Sequence, residues 1–442
     1  MNDYLNTSRA EWGTSDKVPE VSANDTARKD LGTPWYSSVL IIINAAIGAG
    51  ILNFPSSYHL AGGMATAISF QAILCLIAIG SSVILAYCAD RGKTGTYQET
   101  LKACCGEKIH TVCSFTLILY TFGCCIAYLI IIGDMWDKVF DYAVTDPVTR
   151  DSWFLDRRFF ISITSFAVIL PVCFAKQIGF LRYGSGIGVL GVVYIVILII
   201  VEYFSELPPR GYIKTSPDSW SDVFYVLPVI CFGYQCHISS VPVYAGLRGR
   251  PNLRLYAMVA GLALSTCFVT YCATGVFGYL SFGSHVSPDV LVDYPPTGQV
   301  MAGLALLAVN IYTSYPILHF CGRSSLATVT LHYSGWSDKE WNTIERRFRY
   351  SSTVIWYAVS LLLALFVPNI GSIIGILGSL AAFFIFIYPG LALLTLTLHE
   401  NPKEISKKFK VIIAVSIFYV ILGTFIFGLS LSQSIMHLIK TI

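Results

Sequence analysis

Two short stretches of this 442-residue chain combine glycine, proline and polar side chains inside long apolar runs. The first is Asn44-Ala45-Ala46-Ile47-Gly48-Ala49-Gly50-Ile51, followed by Pro55. Each glycine weakens a helix by about 1 kcal/mol relative to alanine, and Pro55 suits a kink or the start of a second half-helix. An unwound turn here offers free amide donors around Ala49–Ile51, fit for an anion. It also offers free carbonyls around Asn44–Ile47, fit for a cation. Taken alone, the same residues serve as a small-residue packing seam.

The second stretch is Pro228-Val229-Ile230-Cys231-Phe232-Gly233-Tyr234-Gln235-Cys236-His237, then Pro242. A glutamine and a histidine in apolar surroundings need a partner or a cavity, so packing explains this segment poorly. A third cluster holds Asn310, Tyr312, Thr313, Ser314, Pro316 and His319. The hydroxyls of Thr313 and Ser314 can join freed carbonyls in an all-oxygen site for a hard cation. They can equally bond back to their own helix. His237 and His319 are the candidate proton-sensitive groups, and a neutral hydrogen-bonded histidine is the plainer reading of each.

The elements that carry these residues are membrane helices. The chain is 55% hydrophobic and 12% charged, with a mean hydropathy of +0.65, against about 25% charged residues in soluble domains. Runs of about 20 apolar residues span the hydrocarbon. Eleven are read here: Trp35–Tyr58, Met64–Tyr87, Val112–Trp136, Phe159–Phe174, Ser185–Phe204, Val223–Tyr244, Leu253–Leu280, Gln299–Phe320, Ser352–Pro368, Ile373–Leu398 and Val411–Ser432. Only helices or closed barrels satisfy the backbone in lipid, and these runs lack the alternation of barrel strands. The fold class is therefore all-α and polytopic, with a transmembrane domain at 34–435. A polar, disordered cytosolic tail is expected at 1–33, and a short extracytosolic tail at 436–442.

With the N-terminus in the cytosol, 22 of the 29 Lys and Arg fall on inner segments and seven on outer ones. That bias supports the orientation. Asn6 and Asn24 lie in sequons on the inner side and are expected to be unused. The 13 cysteines sit in or beside spans, which implies no outer disulfide. The net charge of +3 gives no bulk attraction to nucleic acid. Every Asp and Glu falls in a loop, the tail or a helix end, with Gly133 and Asp134 at the outer rim of the third span. That argues against a proton relay built on buried acids, and no span carries the spaced arginines of a voltage sensor.

The first two stretches occupy spans one and six, the same place in two successive groups of five. Paired interruptions at corresponding positions point to a transporter site between inverted repeats.

At these residues the chain resembles the amino acid/auxin permease superfamily, and within it solute carrier family 38, the sodium-coupled neutral amino acid transporters. The resemblance covers roughly 35–435. It rests on Asn44–Pro55, Phe232–Tyr244 (FGYQCHISSVPVY), Gly275–Pro295 and Ser314–Ser324. The form Phe-Gly-Tyr-Gln-Cys-His is similar to the branch of the seventh and eighth members.

The resemblance implies a LeuT-type fold of ten core helices in two inverted five-helix repeats plus an eleventh. Helices one and six are discontinuous, with alternating access around a site between them. It implies an amino acid held by Ala45, Ala46, Gly48, Ala49, Gly50, Ile51, Phe232, Gly233, Tyr234 and Gln235. It implies Na⁺ as coupling ion, at Asn44, Ile47, Thr313 and Ser314, and no cofactor. Glutamine or asparagine is the substrate it favours.

The outer-loop cysteines and large glycosylated loop of some members are absent, which points toward the lysosome-associated branch rather than the plasma membrane. Two other readings stay open: an amino-acid sensor on the same fold, and proton-coupled transport. With no metal-spaced His cluster and no Ser/His/Asp set, an enzyme is not expected.

Overall fold

The computed structural model describes residues 32–144, 146, 150, 152–175, 182–205, 211–249, 252–366, 370–400 and 406–441. The expected tail at 1–33, with Asn6 and Asn24, lies outside the described residues except for Gly32 and Thr33.

The described chain is helical. Its helices are α1 (Trp35–Ala46), α2 (Phe54–Leu60), α3 (Met64–Gly92), α4 (Tyr97–Cys105), α5 (Glu107–Ala143), α6 (Arg157–Thr164), α7 (Leu170–Cys173), α8 (Arg182–Tyr203), α9 (Leu227–Gly233) and α10 (His237–Ala245). There follow α11 (Leu253–Phe282), α12 (Val290–Asp293), α13 (Gly298–Ser334), α14 (Asp338–Phe366), α15 (Ile370–Ala382), α16 (Tyr388–Glu400) and α17 (Lys407–Thr441). The last runs through most of the stretch expected as a C-terminal tail. Among the described residues eight helices are long and apolar enough to cross a membrane, or nine if the bent pair of the first span counts as one. Gly188–Tyr203 is a shorter apolar helix.

The short fourth run is continued by a π turn at Ser165–Ile169 between α6 and α7. A second π turn, Phe383–Ile387, joins α15 to α16. Each ends two residues before a proline, Pro171 and Pro389. A proline has no N–H to give the carbonyl four residues back, and a wider turn absorbs the misfit.

The bundle core places α13 against α5 and α8, and α11 against α1, α2 and α3. One end of the bundle is tied by backbone. The Thr33 N–H donates to the Gly246 carbonyl at 2.8 Å, and the Arg248 N–H to the Thr33 carbonyl at 2.9 Å. This short parallel bridge fastens the entry of the first span to the exit of the sixth.

Candidate substrate and ion site

Both interruptions read from the sequence are real breaks. In the first span α1 stops at Ala46, Ile47 is extended (φ −78°, ψ 101°), and Gly48 is extended too (φ −130°, ψ −156°). A 3₁₀ turn, Ala49–Asn53, leads into α2, and the two halves meet at 58°. Pro55 sits in the first turn of α2, where its missing N–H costs nothing. The first bond after the break runs from the Ile51 N–H to the Gly48 carbonyl at 3.3 Å. The amides of Gly48, Ala49 and Gly50 precede it, as the orphan donors at a helix start do.

In the sixth span α9 ends at Gly233, and α10 begins at His237 after Cys236. A continuous helix would bond the Ala46 carbonyl to Gly50 and the Gly233 carbonyl to His237. Both oxygens are freed by the breaks. One side chain takes both: the Tyr271 hydroxyl of α11 lies 2.9 Å from the Ala46 oxygen and 2.8 Å from the Gly233 oxygen.

The two breaks lie back to back. A Cβ on Gly50 would stand 2.7 Å from Phe232 Cδ1, and one on Gly233 would stand 3.0 Å from the Phe54 ring. Phe54 stacks on Tyr271 with centroids 4.4 Å apart and planes 13° from parallel. Gln71, fully buried on α3, completes the frame. Its Oε1 accepts from Tyr58 at 2.7 Å, and its Nε2 donates to the Tyr234 hydroxyl at 3.4 Å and the Phe268 carbonyl at 3.3 Å. The second span thus links the second half of the first span to the break of the sixth.

Of the residues expected to hold an amino acid, Ala46, Gly50, Ile51, Gly233, Tyr234 and Gln235 are buried at the breaks, Gly48 and Phe232 are half-buried, and Ala45 is exposed. The backbone of Ala49 opens the 3₁₀ turn. The Tyr234 hydroxyl accepts from Gln71 and also bonds Cys75. Gln235 is different: it is 6% exposed, and neither atom of its amide has a partner among the described residues. A buried primary amide with no bond carries a cost of about 1–3 kcal/mol per group, and such a group calls for a polar partner.

The expected ion residues lie on two spans, Asn44 and Ile47 on the first and Thr313 and Ser314 on the eighth. Ser314 donates to Asn310 Oδ1 at 3.2 Å, and Thr313 donates to the Val309 and Asn310 carbonyls at 2.8 and 3.0 Å. Those donations leave the lone pairs of both hydroxyls free. Tyr128 of α5 meets the Ser314 side chain, and its hydroxyl lies 3.5 Å from where a Cβ of Gly48 would be. That tyrosine connects the eighth span to the first break at Gly48; Asn44 is half-buried and Ile47 buried.

The two histidines are held apart. His237 Nε2 lies 2.8 Å from Ser81 Oγ and 3.1 Å from the Ala78 carbonyl, and its Nδ1 has no described partner. His319 is fully buried edge-on to Trp356, with centroids 5.7 Å apart and no described partner for either nitrogen.

Tyr271, Gln71 and Tyr128 were not among the residues read from the sequence. The signal was available in their type: a phenol or amide at mid-membrane needs a polar partner.

Comparison with known proteins agrees with this architecture. The family described as transmembrane amino acid transporter protein matches residues 32–436. Sodium-coupled neutral amino acid transporter 7 of Danio rerio is 39% identical, over 98% of this chain and 96% of its own. The Homo sapiens protein of that name is 40% identical over 91% and 88%. Solute carrier family 38 member 8 of Homo sapiens is 35% identical over 95% and 97%. Among solved structures, MhsT in complex with L-phenylalanine superposes with a TM-score of 0.54 at 14% identity, over 89% of this chain and 98% of MhsT. That likeness carries the LeuT-type fold. Two broken helices back to back, in a membrane bundle matched end to end by these relatives, place the chain in the family of transmembrane amino acid transporter proteins and, within it, in solute carrier family 38 beside the seventh and eighth members.

Proposed function

We propose that this chain is a Na⁺-coupled secondary transporter of neutral amino acids that works by alternating access around the two breaks. The observation that carries the reading is the pairing of freed backbone at Ala46–Gly50 with freed backbone at Gly233–His237, with one hydroxyl, that of Tyr271, bonded to both. An amino acid brings a carboxylate and an ammonium into the membrane, and each needs a partner there. The amides of Gly48, Ala49 and Gly50 suit the carboxylate. The carbonyls of Ala46 and Gly233, and those around Asn44–Ile47 and Phe232–Tyr234, suit the ammonium. Neutral dipoles on both sides require no charged side chain.

Glutamine or asparagine is the preferred substrate, with the Gln235 amide as side-chain contact. Na⁺ is the second substrate, held by the Asn44 and Ile47 carbonyls and the Thr313 and Ser314 hydroxyls, and so stitching span one to span eight. The membrane potential adds about 2.3 kcal/mol per charge per 100 mV to its entry. Counting Arg157–Cys173 and Gly188–Tyr203 as spans four and five gives eleven spans, arranged as two inverted sets of five plus one. The N-terminus is placed in the cytosol and the C-terminus outside it, in the lysosomal or plasma membrane. The names of the relatives support this reading.

The test is uptake of labelled glutamine by proteoliposomes of the full chain, with Na⁺ replaced by choline. Uptake that collapses in choline supports the reading. Uptake that is equal in both removes the sodium coupling, and the absence of any amino acid flux in a twenty-member panel removes transport.

A further inference from the structure

The segment between α11 and α13 lies at the end of the bundle opposite Thr33. It is held down from two sides. Asn53 donates to the Pro288 carbonyl at 2.9 Å, and Lys138 of α5 donates to the Val292 carbonyl at 2.6 Å. Gly278 lets Pro55 press against its base, since a Cβ there would come within 2.6 Å of the proline ring. The same segment walls a cavity of about 190 Å³ between Asn53, Ser56, Tyr225, Pro288, Gln433 and Ser434. On the transporter reading above, on which this inference rests, a substrate entering from that end must lift this segment.

The segment itself carries a buried carboxylate with no ion-pair partner among the described residues. Asp289 is 5% exposed, and one oxygen accepts the Leu291 N–H at 2.9 Å, capping the four-residue α12. The groups that face it are Asp134 and Lys138 from α5 and Asp293 from its own helix. The 3₁₀ turn Ala49–Asn53, also packed against α12, carries no titratable side chain. Neither cation nearby is ion-paired with it, although the Lys138 charge acts on it from a distance. Arg157 gives its Nη2 to Asp134 at 2.9 Å and stands 3.8 Å from Asp137, while Lys138 is aimed at the Val292 carbonyl. Asp293 is occupied by the Ser287 N–H at 2.7 Å and its hydroxyl at 2.5 Å.

We propose that Asp289 is a proton-binding site that latches this outer segment. Protonated, its carboxyl stays buried beside Asp134 and the segment stays shut. Ionised, it is expelled by burial and by the Asp134 charge, and the segment lifts into water. The direction of the titration agrees: burial first, then the neighbouring Asp134, pushes the Asp289 carboxyl up to about 7 in the shut form, from an ordinary value near 3.8.

The sign follows. The shut-form value is raised, so the proton's contribution to closure is full below the open-form value near 3.8. It is lost as pH rises through about 7. Between those limits closure takes up one proton, and the shut form loses about tenfold for each unit of pH. Above 7 no further change comes from this group. A compartment on this side that is acidic favours the shut form, and a neutral one favours entry.

Two measurements on the full chain test the latch, one of them independent of transport. The Tm of purified protein between pH 5 and 8 should fall with rising pH in the wild type relative to Asp289→Asn, whose amide mimics the protonated group. In proteoliposomes, the KM for glutamine offered on this face should drop severalfold from pH 5 to 7 in the wild type and stay level in Asp289→Asn. Asp134→Asn removes the like charge and should shift the wild-type transition to lower pH, which keeps the test alive if Asp289→Asn does not fold. Wild-type and Asp289→Asn curves that run parallel in both measurements overturn the proposal, as does a transition unmoved by Asp134→Asn. A pH-dependent Tm difference without any amino acid flux keeps the latch and removes the transport reading instead.

Discussion

The Tyr271 hydroxyl donates to the Ala46 carbonyl at 2.9 Å, the very oxygen that the break of the first span sets free. It lies as close, at 2.8 Å, to the oxygen freed in the sixth. One proton shared between two acceptors leaves each bond weaker than a full one. An ammonium arriving between the breaks finds two carbonyls only half satisfied. The ring itself is fixed by Phe54 on one face and by Tyr234 edge-on at 5.6 Å.

Tyr271→Phe keeps the stack and removes only the tie. Two buried carbonyls then lose their donor, at a cost of about 1–3 kcal/mol. The measured Tm of the purified protein should fall, and glutamine binding, by filling the gap with an ammonium, should restore more of that Tm than it adds to the wild type. A variant with wild-type Tm and wild-type ligand response would show that the tie holds nothing.

Gln235→Leu separates a structural from a recognition role. A buried amide with no partner among the described residues is a burden to the fold, so leucine should leave the Tm unchanged or raise it. A site built to bond a polar group discriminates strongly against a ligand lacking it. The ratio of glutamine to methionine uptake should therefore fall at least tenfold, with methionine uptake retained. A drop in Tm with the ratio preserved would make Gln235 a packing residue.

How far this site could be read from the sequence depends on the kind of bond. The breaks at Gly48–Gly50 and Gly233 were legible because glycine and proline act locally, on their own turn of helix. The eighth-span hydroxyls bond within their own helix, Thr313 to the Val309 and Asn310 carbonyls and Ser314 to Asn310, which is the back-bonding alternative the sequence offered. The tie through Tyr271 was not, since its partners lie 225 and 38 residues away in the chain. Gln71, bonded across 163 residues to Tyr234, escaped in the same way. Tyr234 was read correctly as lying at the break, but its phenol is engaged by Gln71, and nothing local in the sequence says which way a ring will turn. The fourth span is about as short as the sequence shows it, since α6, the π turn and α7 together run only from Arg157 to Cys173, while the π turn before Pro171 is a feature hydropathy does not register.

The proposed sodium residues make a graded prediction. Thr313→Val and Ser314→Ala each delete one oxygen while leaving the helix its backbone bonds, and valine matches threonine in shape. Each should raise the half-saturating Na⁺ concentration about tenfold, equivalent to about 1.4 kcal/mol. The KM for glutamine at saturating Na⁺ should stay within about twofold. Asn44→Ala should act in the same direction if its segment belongs to the ion site. Three variants with unchanged sodium dependence in proteoliposome uptake would move the ion elsewhere.

The two glycines of the first break differ in a way that substitution can expose. Gly48 is extended, with φ at −130°, a conformation open to any residue, and an added Cβ would meet nothing closer than the Tyr128 hydroxyl at 3.5 Å. Gly50 has no such room, because the Phe232 ring of the sixth span lies 2.7 Å from where its Cβ would stand. Gly48→Ala should therefore fold and transport at a rate within a fewfold of the wild type. Gly50→Ala must push the two breaks apart, and overpacking of this kind costs about 1–3 kcal/mol. Its Tm and its transport rate should both fall. Phe232→Leu opens the same contact from the opposite side, so the double variant should recover Tm beyond the sum of the two single changes, as residues in contact do in a double-mutant cycle. Equal losses at positions 48 and 50, with no recovery in the double variant, would mean that the breaks do not touch in the working transporter.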